Sequence, residues 1–192
     1  MVATTEKPTL AALYEETVRP KLLEEFGLSN VLEAPSLSKI IVNCGIGRFL
    51  DTQKLKQEIA DTVTSTLTTI TGQRPVMVLA RKSVSNFNVR EGSPSAYMVT
   101  LRRDRMWHFL DRLINLAVPR IKDFRGLSDT SFDGAGNYSM GLTEQAVWPE
   151  INMGEVNFTH GMNINLVFED STPERSRFLL DGLGMPFRRD EE

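Results

Sequence analysis

The sequence predicts an α+β fold, a mostly antiparallel sheet covered by helices on one face and left open and polar on the other. Three observations predict it. Segments of helical period interleave along the chain with segments of period two. The period-two segments alternate apolar with polar residues instead of running uniformly apolar, the pattern of a sheet buried on one side. The 192 residues, 41% hydrophobic and 24% charged, suffice for a buried core and argue against disorder. A single domain over 1–192 follows from the length, with 1–9 as a flexible N-terminus.

Leu10, Leu13, Tyr14, Val18, Leu22 and Phe26 recur at steps of three or four, one face of a first helix that Gly27 stops. A strand over Leu37 to Cys44 puts Ile40, Val42 and Cys44 on one face and Lys39, Ile41 and Asn43 on the other, and Gly45 and Gly47 end it. Asp51 or Thr52 is placed to cap a second helix with the stripe Leu55, Ile59, Val63, Leu67 and Ile70, closed by Gly72. Val76 to Ala80 reads as a strand, 81–96 as a basic loop region, and Tyr97 to Arg103 as a further strand whose Val99 and Leu101 oppose Met98, Thr100 and Arg102. A third helix runs from about Asp104 to Val118 and ends at Pro119. Residues 120–150 read as a long Gly-rich loop, with turn signals over Phe132 to Ser139. Met162, Ile164, Leu166 and Phe168 alternate with polar neighbours in a last strand, and Thr172 with Pro173 opens a last helix carrying Phe178, Leu179 and Leu183.

The net charge of −3 conceals a polarity along the chain. From Arg74 to Arg125 eleven basic residues face four acids, a balance of +7, and the remainder sums to −10, with −8 of it in 126–192 including an acidic tail at 190–192. The basic middle suits a polyanion held by phosphate neutralisation, whatever the total. One cysteine, Cys44, and two histidines, His108 and His160, exclude a disulfide and are too sparse for a metal centre, so neither metal nor cofactor is expected. No apolar run approaches a membrane span, which predicts a cytoplasmic protein with no membrane partner.

Catalytic signals are weak. Gly45-Ile46-Gly47 after a strand resembles part of a nucleotide-binding turn, and a nucleotide-dependent enzyme using Gly45 to Gly47 is the competing reading, but the third glycine of that pattern is replaced by Leu50. Neither histidine has a nucleophile or carboxylate partner at local spacing, and both read as surface residues. No catalytic residue is assigned. Alternation instead gathers Asn43, Thr100, Arg102, Asn163 and Asn165 on the open face. Short polar groups with an arginine suit hydrogen bonding to a ribose-phosphate backbone and 2′-hydroxyls.

Several peptides, in order and together, resemble the family of bacterial large-subunit ribosomal protein number five. They are Ile41 to Gly47, Thr71-Gly72-Gln73-Arg74-Pro75, Ala80-Arg81-Lys82-Ser83-Val84, Val99-Thr100-Leu101-Arg102, Arg105-Met106-Trp107, Pro119 to Leu127, Phe132-Asp133-Gly134 with Gly136-Asn137-Tyr138, and Pro186-Phe187-Arg188. The resemblance implies a structural, non-enzymatic protein with an RNA-recognition-like sheet. It implies that Asn43, Gln73, Thr100 and Arg102 contact 5S rRNA, anchoring it in the central protuberance of the large subunit beside 23S rRNA and neighbouring 5S-associated proteins. It also implies contact of Arg81, Lys82 and Ser83 with P-site tRNA, and an intersubunit bridge to small-subunit ribosomal protein thirteen through Asp133, Gly134, Asn137 and Tyr138. The chain departs from the family in its acidic total, in Ala135 where the bridging loop commonly carries a basic residue, and in His160 to Asn163.

Overall fold

A computed structural model describes residues 10–188 apart from 52, 53, 153, 155 and 157, with Asp51 and Lys54 described by their backbone alone. Five strands form an antiparallel sheet: β1 (Ser36–Gly45), β2 (Val76–Leu79), β3 (Pro94–Leu101), β4 (Tyr138–Leu142) and β5 (Met162–Glu169). Their order across the sheet is β2-β3-β1-β5-β4. Four helices accompany them: α1 over 10–25, α2 (Gln57–Thr71), α3 over 103–117 and α4 (Pro173–Gly182). This is the expected α+β class. The chain divides into two compact units, one of 40–101 with 139–165, the other of the remaining segments.

In the unit of 40–101 and 139–165, β1 pairs β3 with Ile40 opposite Leu101, Val42 opposite Val99 and Cys44 opposite Tyr97. Paired residues share a face, and these six are all buried. Val63, Leu67 and Ile70 of α2 are buried with them as the predicted stripe requires, joined by Ala60, while Ile59 of the stripe is half-buried and Leu55 precedes the helix. The helix begins later than expected, at Gln57 after Lys56, because Asp51 lies in a two-rung hairpin, Leu50–Asp51 against Lys54–Leu55. Thr52, the other expected cap, is outside the described residues.

The other unit is built around aromatic contacts. The Tyr14 ring of α1 stacks on Trp107 of α3 at 5.7 Å between centroids, and its hydroxyl donates to the Pro35 carbonyl at 2.9 Å. Phe26 meets Phe178 of α4 edge-on at 5.8 Å. Both α1 and α3 contain one wider π-type turn, at Tyr14–Val18 and Leu113–Ala117. Thr172 caps α4, its Oγ1 accepting from the Arg175 N–H, and Pro173 stands at the first turn as predicted.

Two expectations are corrected. The long loop at 120–150 contains β4, in which Tyr138, Met140 and Leu142 are buried and Ser139 and Gly141 exposed, a period of two that gains a neighbour at the sheet edge. The strand expected to reach Arg103 ends at Leu101, since Arg102 is the N-cap of α3 and Arg103 takes a φ of +54°. Along β1 the alternation holds from Ile40 onward, and Leu37 is buried out of phase with it.

Candidate nucleic-acid interface

The outer face of the sheet is read from the register. Ile41 stands opposite Thr100 and Asn43 opposite Met98, so Asn43 and Thr100 are diagonal neighbours on the side away from the buried set. Both are half-buried, as is Asn165, while Asn163 is exposed. A side chain added at Gly141 on β4 would meet Asn163 Oδ1 at 3.4 Å, which puts Asn163 on the same side of the β5–β4 pair. Ile41, Met98, Val76 and Val78 lie on the same side, none of them ionised, and the alternation of β5 brings one carboxylate, Glu169, to that side at the end of the strand. The face is less polar than alternation suggested: amides and a hydroxyl are set among aliphatic groups.

Gln73 joins this cluster by a route that periodicity did not show. The helix α2 ends in a left-handed Gly72, φ +67°, and the Thr71 hydroxyl donates to Leu67 and Gln73 carbonyls while accepting from the Gln73 N–H at 3.2 Å. This fold-back leaves Gln73 Nε2 donating to the Thr100 carbonyl at 3.4 Å. Asn43, Gln73 and Thr100 therefore come together in one unit. Arg102, which follows β3 directly in the chain, is exposed and has no ion pair among the described residues.

The basic region after β2 is an ordered hairpin, not a slack loop. Ala80 N–H donates to Ser93 and Gly92 N–H to Ala80, and beyond them Val84 and Val89 exchange both backbone bonds at 2.8 and 3.1 Å. Arg81, Lys82, Ser83 and Arg90 are all exposed. The Ser83 oxygen accepts from the Glu91 N–H at 3.0 Å and keeps its own proton to donate.

The four residues Asp133, Gly134, Asn137 and Tyr138 lie together in one turn. The Asp133 carboxylate accepts from the backbone N–H of Ala135 and of Asn137 and from Asn137 Nδ2, at 3.0, 2.8 and 2.8 Å, and these bonds hold its pKa below the ordinary value. Asn137 Oδ1 accepts from the Phe168 N–H. Tyr138 is buried, its hydroxyl donating to the Ser128 carbonyl, and burial pushes its pKa up to about 12. The turn thus presents Gly134 and Ala135 to solvent while the other three side chains hold it.

His108 is exposed as expected, but His160 is not. His160 is fully buried, with Nδ1 3.3 Å from Cys44 Sγ and its backbone N–H donating to Gln145 Oε1 at 2.7 Å. Gln145, also fully buried, donates to the Phe158 carbonyl. Arg48 donates to the Thr159 carbonyl and lies over the Phe49 ring, which tilts against Phe158. Burial lowers the His160 pKa and raises that of Cys44 to about 11, so the pair is neutral and structural. These partners are 15 and 116 residues from His160, and no local spacing reports them. The same packing accounts for Gly45 and Gly47. Gly45 ends β1, Ile46 is buried, and the turn Gly47–Phe49 leads into the small hairpin and not into a helix, so the phosphate-binding helix N-terminus required by a nucleotide enzyme is missing there.

A family model described as ribosomal protein L5 matches residues 30–90, and a second model, for the C-terminus of the same ribosomal family, matches 94–187. The large ribosomal subunit protein uL5 of a Synechocystis species is 49% identical over 180 residues, 93% of this chain and 97% of the relative. That of Kocuria rhizophila is 48% identical over 191 residues, 98% and 99% of the two chains, and that of Thermus thermophilus 48% identical over 176 residues, 92% and 94%. With both halves matched and near-half identity along almost its whole length, the chain belongs to the ribosomal L5 family and is a protein of the large ribosomal subunit.

Proposed function

We propose that the chain binds 5S rRNA through Asn43, Gln73, Thr100 and Arg102, and so anchors it in the central protuberance with 23S rRNA and neighbouring 5S-associated proteins. Arg81, Lys82 and Ser83 of the hairpin contact P-site tRNA. The Asp133–Tyr138 turn meets small-subunit ribosomal protein thirteen in an intersubunit bridge. The carrying observation is the uncharged set on the outer face: Asn43, Thr100, Asn163 and Asn165 offer donors and acceptors with no carboxylate among them, and Glu169, at the end of β5, already accepts from Ser38. A backbone-reading surface needs this, since hydrogen bonds to phosphate and 2′-hydroxyl fix register without naming a base.

The test is a filter-binding titration of 5S rRNA at fixed salt. Arg102→Ala weakens binding by about 1–3 kcal/mol, the range for one charge-assisted contact. Neutralising Arg81 and Lys82 together leaves 5S affinity in place and shortens tRNA residence on the ribosome. An Arg102→Ala affinity equal to wild type rejects the face, and loss of both functions in the hairpin variant moves the hairpin into the 5S contact.

A further inference from the structure

Phe87 sits at the tip of the basic hairpin and is 79% exposed, the one exposed phenylalanine among the described residues. Backbone hydrogen bonds close the turn that carries it. Beyond the Val84–Val89 pair, Phe87 N–H donates to the Val84 carbonyl and Asn88 N–H to Ser85, with Asn88 in the left-handed region at φ +51°. No ring or cation among the described residues lies against Phe87. A phenyl ring kept in water on an ordered apex is a group awaiting a flat apolar partner. Its surroundings select that partner: Arg81, Lys82 and Arg90 are exposed on the same hairpin, with Glu91 the one acid between residues 81 and 93. Cations beside an open aromatic match a nucleobase attached to its phosphates, since every base offers a π-face and every nucleotide a negative charge.

We propose that Phe87 stacks on a solvent-facing nucleobase of transfer RNA. The proposal rests on the hairpin's assignment to tRNA and adds to it a contact that Arg81, Lys82 and Ser83 do not supply: the cations hold the backbone, and the ring fixes where along it the hairpin lands.

The experiment uses ribosomes carrying the protein with Phe87→Ala, Phe87→Leu, Phe87→Tyr or the double change Arg81→Ala with Lys82→Ala, and measures dissociation of deacylated tRNA from the P site. Dissociation quickens about 5- to 100-fold in Phe87→Ala, the span for loss of one base–aromatic stack, and comparably in Phe87→Leu. Phe87→Tyr keeps a rate within about twofold of wild type because stacking needs the ring. A photoreactive phenylalanine analogue at position 87 cross-links to one tRNA nucleotide. Leu restoring retention as well as Tyr, or a cross-link to protein only, overturns the stack. Fast release in the double variant with Phe87→Ala unaffected overturns the stack and leaves the tRNA contact standing. No effect in any variant rejects both.

Discussion

Gly136→Ala tests whether the Asp133–Tyr138 turn is a rigid platform. Gly136 has a φ of +78°, where a side chain meets the preceding carbonyl, and alanine there costs about 1–2 kcal/mol before any contact is counted. The space is also taken. A methyl group would stand 2.9 Å from the carbonyl carbon and oxygen of Thr172 and 2.9 Å from Ser176 Oγ. None of these can withdraw freely: the Thr172 carbonyl accepts the Ser176 N–H at 2.9 Å, and Ser176 Oγ is bonded to Ser171 Oγ at 2.6 Å. Moving them disturbs the start of α4, an overpacking cost of about 1–3 kcal/mol. A total near 3 kcal/mol lowers Tm by about 6–12 °C for a chain of this size. Gly134 is the control, since nothing lies within 4 Å of its added methyl and its φ is not positive, so Gly134→Ala stays within about 0.5 kcal/mol of wild type. Both are measured by urea unfolding and thermal melts of the full chain. A Gly136→Ala protein as stable as the Gly134→Ala protein would show that the turn yields easily, and would sink the argument that Asp133 and Asn137 hold a fixed surface.

Asn43→Asp changes charge at nearly constant volume and lowers 5S rRNA affinity by about 3 kcal/mol, the repulsion of one phosphate some 6 Å away at an effective dielectric of about 20, with little change in Tm; unaltered affinity removes Asn43 from the contact. Folding stability falls with pH below about 6.5, because the unfolded imidazole protonates at its ordinary value while buried His160 resists until lower pH, and His160→Gln flattens the curve in that window when unfolding is followed in urea. Asp133 acts in a separate window: its lowered pKa stabilises the fold above the ordinary carboxyl value and the contribution is lost as pH falls through the folded value, a step that Asp133→Asn abolishes.

What could be read in the sequence was whatever a single element carries by itself. The faces of β1, β3 and β5 follow from period two, and the positions of Asn43, Thr100, Asn163 and Asn165 on the outer side needed only that. The stripe of α2 and the Thr172 cap were equally local. β4 was hidden because its alternation spans only five residues in a stretch dense with turn signals, and its worth lies in a neighbour, β5, twenty residues on. Asp51 looked like a cap because Asp before an apolar stripe usually is one, yet the chain spends those residues on a hairpin first. His160 was the larger miss. A histidine in a Gly-containing turn reads as solvated, and only Cys44 and Gln145, brought from elsewhere in the chain, make a dry site for it.

Charge is the property that sequence totals describe worst here. A polyanion's affinity grows with the number of phosphates a protein neutralises, each cation contributing a released counterion, whereas hydrogen bonds from neutral groups contribute geometry without salt dependence. The two kinds of group fall on different residues of this chain: Asn43, Thr100, Asn163 and Asn165 of the outer sheet face carry no charge, while Arg81, Lys82, Arg90 and Arg102 stand exposed outside that set. Part of the acidity is occupied elsewhere. Asp133 is held by three N–H groups, Asp129 faces Arg177 at 3.5 Å, and Glu169 accepts from Ser38. A carboxylate already bonded inside its own unit repels a distant phosphate only through water, where screening reduces the force beyond about 8–10 Å. The sign of −3 therefore bears on solubility and long-range approach, and says little about the groups that occupy the outer sheet positions and the hairpin.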